Sequence, residues 1–192
     1  MNRSDPAAVA IGASAGAIHA LLEILPALPE DYGLPVLIVV HVPPGRRNEL
    51  ARLFSAKCQL PVHEAEDKEP ILPGTITFAP PDYHMLVEPG GTISLSTDEP
   101  VYFSRPSIDV LLESAADAYD GRMVGVVLTG ANEDGAQGLK AVADAGGLAL
   151  VQEPSTAYAR AMPDAALALC TTAHALPLAA IAACLVESGA RR

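Results

Sequence analysis

Three residues far apart in the chain, Ser14, His41 and Asp134, have the side chains of a nucleophile, a base and an orienting carboxylate. A serine hydroxyl attacks poorly at neutral pH unless a base takes its proton, and a neutral imidazole is the side chain best matched to that task. The carboxylate would then fix the imidazole tautomer and stabilise the imidazolium that forms. Acyl transfer is the chemistry such a set performs. Ser14 stands in Gly12-Ala13-Ser14-Ala15-Gly16, the G-x-S-x-G spacing of a nucleophile elbow, where small neighbours permit a tight turn that exposes the hydroxyl.

Each of the three also has a plainer role. Glycine-rich strand-to-helix turns cradle phosphates, and Ser14 would serve equally well as a helix N-cap. His41 closes an apolar run before Pro43-Pro44 and suits a simple hydrogen bond at a sheet edge. Asp134 can cap the helix that opens at Gly135-Ala136, a role compatible with catalysis. The chain order Ser, His, Asp differs from that of ordinary α/β-hydrolases, and a full G-x-G-x-x-G for a dinucleotide is absent.

The surrounding elements decide whether the three can meet. Residues 7–13 form a short apolar run, and Ile18, Leu21, Leu22 and Leu25 then recur at helical spacing, which reads as strand, tight turn, helix. Pro35 to His41 is a second buried strand, broken by Pro43-Pro44-Gly45 and followed by a helix over 48–57. Short extended pieces follow at 75–79, 84–88 and 92–95, the last two as an antiparallel hairpin around Pro89-Gly90-Gly91. A helix after Pro106, a buried strand at 124–128, a helix at 134–145, a strand at 148–151, and helices near 163–169 and 177–187 complete the pattern. The apolar stripe Leu178, Ile181, Leu185 reads as core packing. The whole predicts one domain, 1–192, with a doubly wound, mostly parallel sheet, helices on both faces and an inserted antiparallel hairpin. In such sheets chemistry collects at the carboxyl ends of the strands, where Ser14, His41 and Asp134 all fall.

Composition narrows the function classes. Half of the 192 residues are hydrophobic but only 4% are aromatic, as suits helices stacked on a parallel sheet through Val, Leu, Ile and Ala. A formal net charge of -11 repels phosphate backbones and argues against nucleic acid as a partner. Cys58, Cys170 and Cys184 lack zinc-site spacing and read as reduced core thiols of a cytoplasmic protein. Gly, Pro and charged residues interrupt every apolar stretch before it reaches membrane-spanning length.

Five segments together resemble the catalytic domain of the chemotaxis methylesterase family, the protein-glutamate methylesterases. They are Ile11-Gly12-Ala13-Ser14-Ala15-Gly16, Val40-His41-Val42-Pro43-Pro44-Gly45, Ala79-Pro80-Pro81-Asp82-Tyr83-His84, Arg105-Pro106-Ser107-Ile108-Asp109-Val110-Leu111, and Leu128-Thr129-Gly130 with Asp134-Gly135-Ala136-Gln137-Gly138. The resemblance implies that Ser14, His41 and Asp134 are the catalytic serine, histidine and aspartate. It also implies hydrolysis of glutamate methyl esters on the cytoplasmic helices of chemoreceptors or related sensory proteins, with glutamine deamidation as a side activity, and needs no metal or organic cofactor. A catalytically idle binding module of the same fold is the alternative.

Further expectations attach to the neighbours. Backbone N–H groups near Ala15 and in the turn of Gly130, Ala131 and Asn132 are candidate oxyanion donors, and Gly12 and Gly16 are counted with the same substrate and oxyanion site. Arg105 is read either as a clamp on the substrate or on an active-site carboxylate, or as a structural ion pair with Asp109. Arg46 and Arg47 could meet acidic receptor helices. His84 is expected to make a structural hydrogen bond, whereas His19, His63 and His174 lack convincing ligand partners. Two departures from the family pattern are Ala17, where a glycine is usual, and Ala131-Asn132, where Met-Gly is usual; the second removes a large side chain from the substrate site. The phosphoacceptor module usual in the family is not seen before the first strand, so the expectation is a constitutively open domain or control by a separate protein.

Overall fold

The computed structural model describes residues 5–41 and 49–190. Strand β1 (Ala8–Ala13) is buried along its whole length and leads through a short turn into α1 (Ala17–Ile24). The chain continues through β2 (Val36–Val40), α2 (Leu50–Ser55), β3 (Val62–Glu64) and β4 (Ile76–Phe78). A hairpin of β5 (His84–Glu88) and β6 (Thr92–Ser96) precedes α3 (Ile108–Ala118) and β7 (Met123–Val127). The remainder is α4 (Ala136–Asp144), β8 (Leu148–Gln152), α5 (Ala161–Leu169), β9 (His174–Leu176) and α6 (Leu178–Gly189).

Seven strands form one sheet in the order β3-β4-β2-β1-β7-β8-β9, every pair parallel. The chain builds outward from β1 on one side and then returns to lay β7, β8 and β9 on the other. The reversal beside β1 makes a crevice at the carboxyl ends of the strands. The hairpin forms its own two-stranded antiparallel sheet.

Period-two alternation in β1 explains how the two faces are covered. Val9 and Ile11 point into a core with Leu21 and Ile24 of α1, Phe54 of α2, and Ile181 and Leu185 of α6. Ala10 faces the other core, with Ile108 and Leu112 of α3, Leu139 of α4, Met162 of α5 and Met85 of the hairpin. The small face of β1 lets α3 approach closely: a Cβ added to Gly12 would lie 2.1 Å from Ile108 Cγ2. This contact sets the N-terminus of α3 beside the carboxyl end of the sheet.

The expected architecture and hairpin are present, and Leu178, Ile181 and Leu185 are buried as a core stripe. The differences are local. β3 and β9 are three-residue edge strands too short to show alternation, and Ile18 and Leu22, expected on the inner face of α1, are 48% and 37% exposed. Ala17, Ala20, Leu21 and Ile24 make the buried face instead. Cys170 is buried and Cys58 and Cys184 are partly so, all three as free thiols; burial pushes the Cys58 thiol up to about 11. Among the described residues no helix is long and apolar enough to cross a membrane.

Candidate active site

Ser14, His41 and Asp134 follow three adjacent strands, β1, β2 and β7. The parallel ladder extends past the strands: His41 N–H donates to Ala13 O (3.2 Å) and Ser14 N–H to Thr129 O (2.9 Å). Ser14 and His41 line one cavity of about 270 Å3 with Gly16, Ala17, Ile18, His19, Val40 and Leu50. His41 Nε2 lies 2.7 Å from Asp134 Oδ2, with the carboxylate fully buried. A carboxylate accepts only, so Nε2 carries the proton and Nδ1 is left as the basic nitrogen.

The Asp134 carboxylate takes four donors. Oδ2 accepts from His41 Nε2 and Ile108 N–H (2.7 Å), and Oδ1 from Ser107 Oγ (2.9 Å) and Asp109 N–H (3.0 Å). Ile108 and Asp109 open α3, so the Asp134 carboxylate sits at the positive end of a helix that it does not belong to. Burial disfavours its charge, but the His41 hydrogen bond and the amides of Asp109 and Ile108 outweigh that and hold Asp134 below the usual carboxylate range. The arrangement returns in the opposite sense: Asp109 Oδ1 accepts from Gly135 N–H (2.9 Å) and Gly138 N–H (2.7 Å) at the start of α4. The start of α3 is held by a carboxylate from the turn just before α4, and the start of α4 by a carboxylate of α3.

The family model described as CheB methylesterase matches residues 9–185. The chain belongs to the CheB methylesterase family. A Leptospira interrogans protein named putative protein-glutamate methylesterase/protein-glutamine glutaminase is 47% identical over 175 residues, 91% of each chain. A Cupriavidus metallidurans protein-glutamate methylesterase/protein-glutamine glutaminase 2 is 40% identical over 189 residues, which are 97% of this chain but 56% of that one. The crystal structure of the Thermotoga maritima CheB methylesterase catalytic domain superposes with a TM-score of 0.90 at 31% identity, covering 96% of this chain and 99% of that one.

Within this CheB-family site several expectations need correction. Ser14 does not cap α1 and Asp134 does not cap α4; Gly16 and Gly135, with φ of 84° and 96°, hold those positions. Such left-handed backbone is open to glycine at no steric cost. Gly130 is not an oxyanion donor, because its N–H is bonded to Ala159 O (3.0 Å). Gly12 does not line the cavity: its backbone lies in both ladders of β1, and its missing side chain makes room for Ile108. The N–H groups of Ala15, Gly16 and Ala131 have no partner among the described residues and stay available. Arg105 neither reaches the cavity nor pairs with Asp109; its Nη1 donates to Thr97 O (2.8 Å) and Asp98 O (3.0 Å), tying down the loop after β6. Arg46 and Arg47 lie outside the described residues.

Ala17 is buried in the first turn of α1, and Asn132 Oδ1 accepts from Asp134 N–H (3.3 Å), supporting the turn. His84 is structural: Nδ1 accepts from Ser107 N–H (3.1 Å), which leaves Nε2–H to donate to Glu99 O (3.1 Å). Sequence reasoning missed Ser107 and Thr129. Thr129 Oγ1 donates to Ala15 O (2.8 Å) and accepts from Ala159 N–H (2.9 Å), clamping the turn that holds Ser14 from the β7 side.

Burial pushes the Asp109 carboxyl up, to about 6, against the Gly138 and Gly135 amides that favour its charge; the charges of Asp134 and Glu113 add to the upward push. An acid whose pKa is higher folded than unfolded binds more protons in the folded chain between the two values, so folding weakens as pH rises from about 4 to about 6. Asp109→Asn keeps the Oδ1 acceptor and cannot ionise. We expect it to gain on the native chain over that interval by on the order of 2 kcal/mol, measured by urea unfolding at pH 4 and pH 7.5. Parallel stability curves for the two proteins would contradict this assignment.

Proposed function

We propose that this chain is a serine esterase that hydrolyses glutamate 5-O-methyl esters on signalling receptors. The carrying observation is the buried, four-donor Asp134 held 2.7 Å from His41, which shares its cavity with Ser14. An idle binding module has no use for a carboxylate desolvated and aimed at an imidazole. The relatives' names and the family match over residues 9–185 support the same reading and its scope as one catalytic domain.

In the reaction Ser14 Oγ attacks the γ-carbonyl of the esterified glutamate while His41 Nδ1 takes its proton. The imidazolium is stabilised by Asp134, and the oxyanion by the amides of Ala15, Gly16 or Ala131; one such donor is typically worth about 3–4 kcal/mol. The proton returns to the departing methoxide, methanol leaves, and water hydrolyses the acyl-enzyme by the same route. Receptor glutamines present the same carbonyl with ammonia as leaving group, and the paired names of the relatives favour deamidation as a second activity. Three free thiols suit the reducing cytoplasm, where receptor cytoplasmic segments would be the partners.

The test is to incubate the chain with methylated receptor cytoplasmic domains and measure methanol, with a fluorophosphonate probe in parallel. Methanol release and labelling confined to Ser14 are expected. An inert Ser14 would return the assignment to a binding module, and ammonia without methanol from matched substrates would make the chain a deamidase.

A further inference from the structure

A methyl ester on a glutamate side chain offers the enzyme few atoms to grip. Preference for a protein ester over any small ester must therefore come from contacts remote from the reacting carbonyl. Ser14 has two rims. On the β2 side lies the apolar cavity with His41 and Leu50. On the β7 side lies Tyr158, whose position no reading of the sequence singled out.

The Tyr158 stem is seated on the nucleophile turn: a Cβ placed on Gly16 would come within 2.6 Å of Tyr158 Cβ. Its backbone is held there by the bonds from Gly130 N–H to Ala159 O and from Ala159 N–H to Thr129 Oγ1, the hydroxyl that also bonds Ala15 O. The side chain is nonetheless 84% exposed. A fixed stem, seated against Gly16 two residues beyond Ser14, thus carries a large amphipathic ring that is mostly exposed. Rigid, exposed aromatic rings give contact area at low entropic cost.

From this geometry we propose that Tyr158 is a specificity-determining residue, whose ring packs against the polypeptide flanking the ester and so favours protein esters over small ones. This rests on the esterase reading above. The test compares kcat/KM on a methylated receptor cytoplasmic domain with kcat/KM on p-nitrophenyl acetate, for the native chain, Tyr158→Ala, Tyr158→Phe and Leu72→Ala. Leu72 is a 54% exposed apolar residue in the loop before β4, at the opposite end of the strands, and serves as a control for lost surface.

In Tyr158→Ala the ratio of the two constants should fall roughly tenfold, through a higher KM on the protein. Tyr158→Phe should keep the ratio near native, and Leu72→Ala should leave it unchanged. Equal losses on both substrates would mean that Tyr158 merely supports the nucleophile turn, and an unchanged ratio would mean that the ring touches nothing; either overturns the proposal. A native chain that releases no methanol and is unlabelled at Ser14 defeats the esterase reading, and Tyr158 with it.

Discussion

Ser14→Ala is expected to lower methanol release by roughly 10^4- to 10^6-fold with no measurable loss of stability. The first half follows from the mechanism, since alanine leaves His41 and Asp134 paired but with no nucleophile to activate. The second follows from the surroundings of the side chain. The backbone of Ser14 is engaged with Thr129 and Ala17, but its Oγ has no hydrogen-bond partner among the described residues. Truncation therefore leaves no buried group unsatisfied. Steady-state methanol release and a thermal melt on the same preparation check both halves. Undiminished turnover would end the esterase assignment, and a large drop in melting temperature would show that Ser14 has a structural duty we have not identified.

Asp134→Asn should fail in both respects. Catalytically it can leave His41 in the wrong tautomer, for which a loss of about 10^4-fold is the typical scale. Structurally it replaces an acceptor of four hydrogen bonds by a group with one acceptor oxygen and a donor. The amide nitrogen must face two donors, either His41 and the Ile108 amide or the Ser107 hydroxyl and the Asp109 amide. Breaking a buried charged network by changing one member typically costs about 3–5 kcal/mol. The pH dependence gives a separate signature. Because Asp134 is held below its ordinary pKa, its contribution is complete above about pH 4 and is lost as pH falls through the lowered value. The unfolding free energy of the variant should lack that acid limb. Equal stability of the two proteins at neutral pH would show that the carboxylate's four contacts are not formed in solution.

Much of this was legible in the residues, for identifiable reasons. Buried parallel strands read as continuous apolar runs, and the runs at β1, β2 and β7 end at Ser14, His41 and the turn before Asp134, so strand boundaries were enough to place the three candidates at one edge. The partners of Asp134 were harder to see. Sequence neighbourhood pairs Arg105 with Asp109 one helical turn on and Asp134 with its own helix, whereas the fold joins Asp109 to α4 and Asp134 to α3. Ile108 fills the space left by Gly12, and the bare backbones of Gly135 and Gly138 let the start of α3 lie close against α4, contacts between distant segments that nothing local announces. The Ser107-Ile108-Asp109 triplet at a helix start was the available hint. Gly130 misled for a similar reason: a glycine beside a catalytic turn suggests a free amide, but a segment almost thirty residues later takes it.

The exchange of carboxylates between α3 and α4 also bears on how this rim of the molecule can loosen. A helix ordinarily frays from its first turn at little cost. Here, lifting the first turn of α3 strips Asp134 of its amides and withdraws Asp109 from α4, so neither end can peel away while the other stays closed. The two ends act as a clasp that opens as a unit. Binding rims in proteins usually belong to the least protected part of the structure, but here the carboxylate that faces His41 is locked into a cooperative joint.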